Sequence, residues 1–218
     1  MRDLLPSTVA VAVAGPDDWV GELLPAEQAC LSERAVQTRR RDFAAGRACA
    51  RRAMTGLGLP PTAVPAAPDR APVWPAGVVG TITHTTGYCA AAAALTTDVR
   101  SVGMDAEQHH EVDPGVRRMV LLPEEEALCA RLPGGISWPV VLFSAKETVY
   151  KVWHPVVGTW LGFRDAQLDV DPDAGTFTAR IAPARVAAAT VEAPPTTIVG
   201  RFVVADGLVR TAAVLPLG

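Results

Sequence analysis

Asp105 and Glu107 stand two apart in Gly103-Met104-Asp105-Ala106-Glu107, and Glu147 and Lys151 stand four apart in Phe143-Ser144-Ala145-Lys146-Glu147-Thr148-Val149-Tyr150-Lys151. Side chains alternate along a strand, so the first two carboxylates share a face and Ala106 takes the other. Residues four apart on a helix are neighbours, which sets Glu147 beside Lys151. Three carboxylates together make a cradle for a hard cation; magnesium takes one or two carboxylates plus phosphate oxygens and keeps waters. A lysine beside them suits phosphate, so the combination points to metal-assisted chemistry on a phosphoester. Each fragment alone has a plainer account. Asp-x-Glu describes two solvated acids at a strand end, and Glu147 with Lys151 is an ordinary helical ion pair worth about 0.3–0.5 kcal/mol.

A second group of residues has anion-binding chemistry. His84 lies in Gly80-Thr81-Ile82-Thr83-His84-Thr85-Thr86-Gly87, where hydroxyls and backbone N–H groups between glycines can grip a phosphate. The same segment also reads as a strand-end turn with a satisfied histidine. Arg34, Arg39, Arg40, Arg41, Arg47, Arg51 and Arg52 crowd one stretch, and Arg39, Arg40 and Arg47 are spaced to share a side and clamp a phosphate. Several of the others are a solvated face. No aromatic interleaving or recognition signature accompanies them, which argues against nucleic acid. His109 and His110 read as loop residues, and His154 as the end of a helix.

The elements that must position these groups follow from local pattern. Val9–Ala14 reads as a buried strand. Helical composition runs from Pro25 to about Leu57, as one helix or two, and stops at Gly56 and Gly58. Proline dominates 60–75, an irregular loop. Strand patterning covers 78–95 and then 102–107. Leu121-Leu122-Pro123 opens a helix whose first turn is acidic, set against the helix dipole. A further helix runs from Trp138 to about Trp153 and ends near Pro155. From Phe163 strands alternate with turns at 171–175 and 205–207, and Asp206-Gly207 is a hairpin signal.

With 218 residues, 49% of them hydrophobic, the chain can bury a sizeable core. A net charge of −3 excludes a general polyanion binder, while the crowding of arginines at 34–52 and acids at 103–126 favours a local anion site. Cys30, Cys49, Cys89 and Cys129 form no Cys-x-x-Cys and read as buried thiols in a reducing compartment. No signal peptide or bilayer-spanning run is present, so a cytoplasmic protein is expected.

A weak repeat divides the chain. Leu23-Leu24-Pro25-Ala26-Glu27-Gln28-Ala29 matches Leu121-Leu122-Pro123-Glu124-Glu125-Glu126-Ala127, and Phe43–Arg47 matches Phe143–Glu147. The expected architecture is α+β: two similar α/β lobes, 1–99 and 100–218, packed with pseudo-twofold symmetry, with Arg47 standing in one lobe where Glu147 stands in the other. A fused pair of lobes makes a monomer sensible.

Segments 39–51, 70–75, 80–88, 102–107 and 143–151, in this order, closely resemble the larger, Sfp-like phosphopantetheinyl transferases. The joint pattern Gly103-x-Asp105-x-Glu107 with Ser144-x-Lys146-Glu147-x-x-x-Lys151 carries that resemblance. It implies that fold and an enzyme that moves the 4′-phosphopantetheine arm of coenzyme A onto a serine of an apo acyl- or peptidyl-carrier protein, releasing 3′,5′-ADP. It further implies that Asp105, Glu107 and Glu147 hold magnesium, with manganese as the alternative. Glu147 takes the serine proton, directly or through water, and Lys151 neutralises the transferring phosphate. Arg39, Arg47, Arg70, Thr83 and His84 hold the nucleotide and its phosphates, with Lys146 nearby. Two departures stand out: Ala106 replaces a larger aliphatic residue, and the loop at Arg70-Ala71 is one residue short. The rival readings are a non-catalytic carrier-protein or nucleotide-binding module and a metal-dependent coenzyme A phosphohydrolase.

Overall fold

Alternating alanine and valine form β1 (Ala10–Ala14), and an alanine run forms β3 (Tyr88–Leu95). β1 pairs antiparallel with β3 from Ala10↔Ala93 to Ala14↔Cys89, and β2 (Val78–Thr85) pairs antiparallel along the other edge of β3. The structure, a computed structural model, describes residues 1–15 and 22–217. It divides into two compact units: Pro6–Val102 with Arg2 and Pro216–Gly218, and Gly103–Leu215 with Met1 and Asp3–Leu5.

In the first unit the order β1-β3-β2 is covered by α2 (Gln37–Gly56). The helix buries Phe43, Gly46, Cys49, Ala50, Ala53 and Met54, a helical spacing that makes one apolar stripe. Small residues let the layers approach closely; a Cβ on Gly46 would lie 3.0 Å from Ile82 Cγ2. Of the one helix or two expected between Pro25 and Leu57, the structure has two, the short α1 (Pro25–Gln28) and α2. Arg40 bonds across the interruption between them. Its Nε donates to Ala35 O at 3.0 Å and its Nη2 to Ser32 O and Glu33 O at 2.8 and 2.9 Å, so it satisfies the carbonyls of the interruption.

A second sheet, of order β4-β8-β7-β6-β5, is formed by β4 (Val99–Gln108), which enters the second unit at Gly103, and by β5 (Ala166–Asp171), β6 (Thr176–Ile181), β7 (Thr197–Ala205) and β8 (Leu208–Pro216). Asp206 at φ 56° and Gly207 at φ 71° make the tight β7–β8 turn expected of Asp-Gly. α5 (Trp138–Val157) packs Leu142, Ala145, Val149, Val152 and Trp153 against Leu168, Phe177 and Ile198 of this sheet. Each of the valine, leucine, isoleucine and phenylalanine side chains among them contributes about 1.5–3 kcal/mol when fully buried. α5 runs through Pro155 instead of ending there; Gly158, at φ 72°, terminates it by donating its N–H to His154 O at 2.9 Å. Sequence pattern also missed α3 (Pro114–Val120) and α6 (Pro183–Ala188), both opened by proline. Between α3 and α5 lies α4 (Pro123–Cys129). No helix among the described residues is long and apolar enough to cross a membrane.

The repeated Leu-Leu-Pro-x-Glu motif does the same work in both units. Glu27, fully buried, accepts Leu24 N–H at 2.9 Å and Val64 N–H at 3.0 Å and pairs with Arg51. Glu125, equally buried, accepts Leu122 N–H and Leu168 N–H, each at 2.8 Å, and pairs with Lys146. Each carboxylate caps its own short helix and ties it to a distant strand or loop and to the long helix. Breaking one of these satisfied buried charges costs several kcal/mol, which is why neither lobe tolerates its loss cheaply.

Gly103 is required by packing: a Cβ there would lie 2.4 Å from Thr148 O and 2.8 Å from Val152 Cγ2. The glycine lets α5 cross β4 with backbone nearly touching backbone, which puts Ser144 and Lys151 over Asp105. Gly103→Ala is expected to lower unfolding free energy by about 1–3 kcal/mol in urea titration; stability equal to the parent's would show that this approach is not tight.

Candidate active site

Asp105 projects from β4 and is buried. Its Oδ1 accepts from Lys151 Nζ at 2.7 Å and its Oδ2 from Ser144 Oγ at 2.9 Å. Lys151 Nζ also donates to Met104 O at 3.2 Å. Glu107 and Glu147 are both half-buried and both feel Asp105. Burial, and then the charge of Asp105, push the Glu107 carboxyl up to about 7, with Lys151 opposing and Glu147 adding to the rise. Burial also raises Glu147, against the pull of Lys151. The cluster is thus three acids against one lysine, with water partly removed.

Among the described residues no three His, Cys, Asp or Glu side chains stand in a ready-made metal geometry. The donor chemistry nevertheless fits a hard divalent ion. All donors are carboxylate oxygens, and two of them are held toward their protonated forms by burial and mutual repulsion. A divalent cation relieves that imbalance, and oxygen donors of this kind suit magnesium or manganese.

Lys146, expected near the nucleotide, is built into the second unit instead. Its ammonium is buried and donates to Val120 O at 2.9 Å, Glu125 Oε2 at 2.7 Å and Phe163 O at 2.6 Å. Those three bonds use all three donors of the ammonium, so Lys146 is a structural cation. Beside it, Glu147, Tyr150, Trp160, Leu161, Phe163 and Ala166 line a mainly apolar slot of about 80 Å³. Tyr150 and Trp160 meet with ring centroids 5.0 Å apart. No sequence motif singles out Trp160, and its indole is exposed in the structure.

The arginines and the histidine expected to bind an anion gather in the first unit. Arg39, Phe43, Arg47, Arg70, Ile82 and His84 line a cavity of about 270 Å³, together with Asp42, Gly46 and Pro72. A second cavity of about 310 Å³ shares Asp42 and His84 and adds Thr38, Arg41, Thr85, Thr86 and Gly87. Arg47 is buried; its Nε donates to Val64 O at 2.8 Å, its guanidinium lies 3.9 Å from the Phe43 ring centre, and its Nη2 has no partner among the described residues. Burial pulls this guanidinium down to about 10, so the charge is poorly compensated. Arg70 holds φ 73°, a conformation that non-glycine residues rarely adopt, in a loop closed by an Ala66–Pro72 bridge. Thr83 is buried and, by strand alternation, faces away from Ile82 and His84; it does not line either cavity. Arg40, spaced to join Arg39 and Arg47, is occupied with the carbonyls before α2.

Comparison with known proteins separates the chain in two places. Residues 26–94 match the family described as 4′-phosphopantetheinyl transferase N-terminal domain, and residues 101–201 match the 4′-phosphopantetheinyl transferase superfamily. The chain is 41% identical over 221 residues to the 4′-phosphopantetheinyl transferase PptT of Mycobacterium tuberculosis, covering 99% of this chain and 97% of that one. It is 48% identical over 187 residues to the 4′-phosphopantetheinyl transferase Svp of Streptomyces mobaraensis, covering 82% of this chain and 74% of the relative. It is 33% identical over 141 residues to enterobactin synthase component D of Salmonella typhi, covering 62% of this chain and 56% of that protein.

The raised Glu107 gives a pH signature. Its carboxyl moves from 4.5 to about 7 on folding, so between these values the folded chain holds a proton that the unfolded chain has released. Stability from this group therefore falls as pH rises through that window, and the whole penalty stands above it. Urea unfolding of metal-free protein across that range is expected to show a steeper descent for the parent than for Glu107→Gln. Identical slopes in the two proteins would contradict the assignment.

Proposed function

The chain belongs to the 4′-phosphopantetheinyl transferase superfamily, and from that premise we propose that it moves the phosphopantetheine arm of coenzyme A onto a serine of an apo acyl- or peptidyl-carrier protein. The observation that carries the reading is the under-neutralised cluster of Asp105, Glu107 and Glu147 beside Lys151. The C-terminal lobe, 100–218, supplies these carboxylates, and the N-terminal lobe, 1–99, supplies the nucleotide contacts. Each lobe carries its own version of the same device, Glu27 in one and Glu125 in the other, as a duplicated unit would. The protein acts as a cytoplasmic monomer; its four free thiols suit a reducing compartment.

The carrier serine oxygen attacks the phosphorus that bears the pantetheine arm. A new P–O bond forms, the pyrophosphate P–O bond breaks, and 3′,5′-ADP leaves with the electron pair. Such a displacement needs in-line placement and neutralised oxygens more than a strong nucleophile. Magnesium bound by Asp105, Glu107 and Glu147, or manganese in its place, would supply charge neutralisation at the pyrophosphate. Glu147 receives the serine proton, directly or through water. Lys151 brings its ammonium to the transferring phosphate from its position on Asp105.

Arg39, Arg47, Arg70 and His84 hold the nucleotide and its phosphates. The unpaired Nη2 of Arg47 gives an anion a buried donor to reach. The apolar slot beside Glu147 has the wrong lining for phosphate and suits the methylene and amide groups of the pantetheine arm.

Mixing the protein with coenzyme A, magnesium and an apo-carrier domain, and weighing the carrier by mass spectrometry, decides among the readings. A gain of one phosphopantetheine supports transfer. Release of 3′,5′-ADP without carrier modification would favour a coenzyme A phosphohydrolase, and neither product would favour a binding module. Glu147→Gln is expected to stay folded and lose about 10²–10⁴-fold in turnover; carrier modification at the parental rate removes Glu147 from the chemistry. Arg47→Ala is expected to weaken coenzyme A binding by about 10-fold or more in calorimetry, and unchanged affinity would take Arg47 out of the site.

A further inference from the structure

Three hydroxyls that no sequence motif singles out as a set lie in line behind Asp105. Thr148 and Ser144 come from α5 and Thr211 from β8, and all three are fully buried. Thr148 Oγ1 lies 2.7 Å from Thr211 Oγ1, Thr211 Oγ1 lies 2.9 Å from Ser144 Oγ, and Ser144 Oγ lies 2.9 Å from Asp105 Oδ2. Two backbone acceptors touch the chain as well: Ser144 O, 3.0 Å from Thr211 Oγ1, and Thr211 O, 3.4 Å from Thr148 Oγ1.

Proton counting gives the line a direction. An ionised Asp105 only accepts, so Ser144 spends its one proton on Oδ2. Ser144 Oγ is then an acceptor toward Thr211, whose proton turns to that oxygen or to the adjacent Ser144 carbonyl. Thr211 Oγ1 in turn accepts from Thr148. With the Thr211 proton on Ser144 Oγ, the dipoles run head to tail toward the carboxylate, and such chains strengthen one another where water is excluded. Lys151 holds the other oxygen, Oδ1. The aspartate is therefore fixed at both oxygens by its own unit.

We propose that Thr211, acting through Ser144, is a positioning residue that orients Asp105 for the divalent cation. This rests on the reading of Asp105 as a metal-holding carboxylate. Outer groups that fix a ligand are worth about 10–100-fold in metal affinity when removed. The strand segment that carries Thr211 lies far from both acidic motifs in the chain, yet it is part of the same site. Distance along the relay orders the effects: Ser144 touches the carboxylate, Thr211 acts one bond removed, and Thr148 two.

The test compares Ser144→Ala, Thr211→Val and Thr148→Val for Mn²⁺ affinity by electron paramagnetic resonance, in the presence of coenzyme A, alongside thermal unfolding. Ser144→Ala is expected to weaken Mn²⁺ by about 10-fold or more, Thr211→Val by somewhat less, and Thr148→Val by under about 2-fold. Thr211→Val and Thr148→Val each delete one buried hydroxyl, so their melting shifts should be alike while their Mn²⁺ affinities differ. Thr211→Ser, which keeps the hydroxyl, should restore affinity. Equal Mn²⁺ losses in the two threonine variants, or losses that simply follow melting temperature, would overturn the proposal. Should Thr211→Val not fold, Ser144→Ala against Thr148→Val makes the same comparison. Asp105→Asn separates the two levels. If it loses Mn²⁺ while Thr211→Val and Ser144→Ala keep parental affinity, the relay is wrong and the metal reading stands. If Asp105→Asn binds Mn²⁺ like the parent, the metal reading fails and the relay falls with it.

Discussion

Mutual repulsion among carboxylates that have lost part of their water is the constraint on which the second unit is built. Asp105, Glu107 and Glu147 bring three potential negative charges to one place, and Lys151 brings one positive charge. Such an arrangement does not arise as a stabilising feature; the folded chain holds Glu107 and Glu147 toward protonation instead of neutralising them. Under the proposed function, an additional cation and an anionic substrate are what would relieve this imbalance.

Holding repelling groups together takes a rigid frame, and the frame is visible. Gly103 removes the side chain that would keep α5 off β4. Glu125 locks α4, β5 and α5 through two backbone N–H groups and Lys146. The corresponding keystone in the first unit, Glu27, locks α1, the proline-rich loop and α2, and so fixes the wall behind Arg47. Each unit thus fastens its short helix through one buried, fully bonded glutamate, apart from the groups that remain imperfectly satisfied.

Much of this frame could be read from residue order. Strand alternation and helix spacing located β4 and α5, Asp-Gly located the β7–β8 turn, and the Leu-Leu-Pro-x-Glu repeat marked both short helices. Two kinds of fact were not readable. Buried polar partners depend on which strand or loop arrives from far along the chain: Lys146 looks like a substrate cation until Val120 O, Glu125 and Phe163 O surround it, and Arg40 looks like a phosphate clamp until it meets three carbonyls. Helix ends also depend on tertiary cover. The packed face of α5 carries it past Pro155, where local propensity alone would have stopped it.

The most direct trial of this account is a crystal structure with Mn²⁺ and coenzyme A, with the ion located by anomalous scattering. The account predicts one peak coordinated by oxygens of Asp105, Glu107 and Glu147 and by the pyrophosphate. An ion bound elsewhere, or Glu147 turned away from the other two carboxylates with substrate in place, would contradict it.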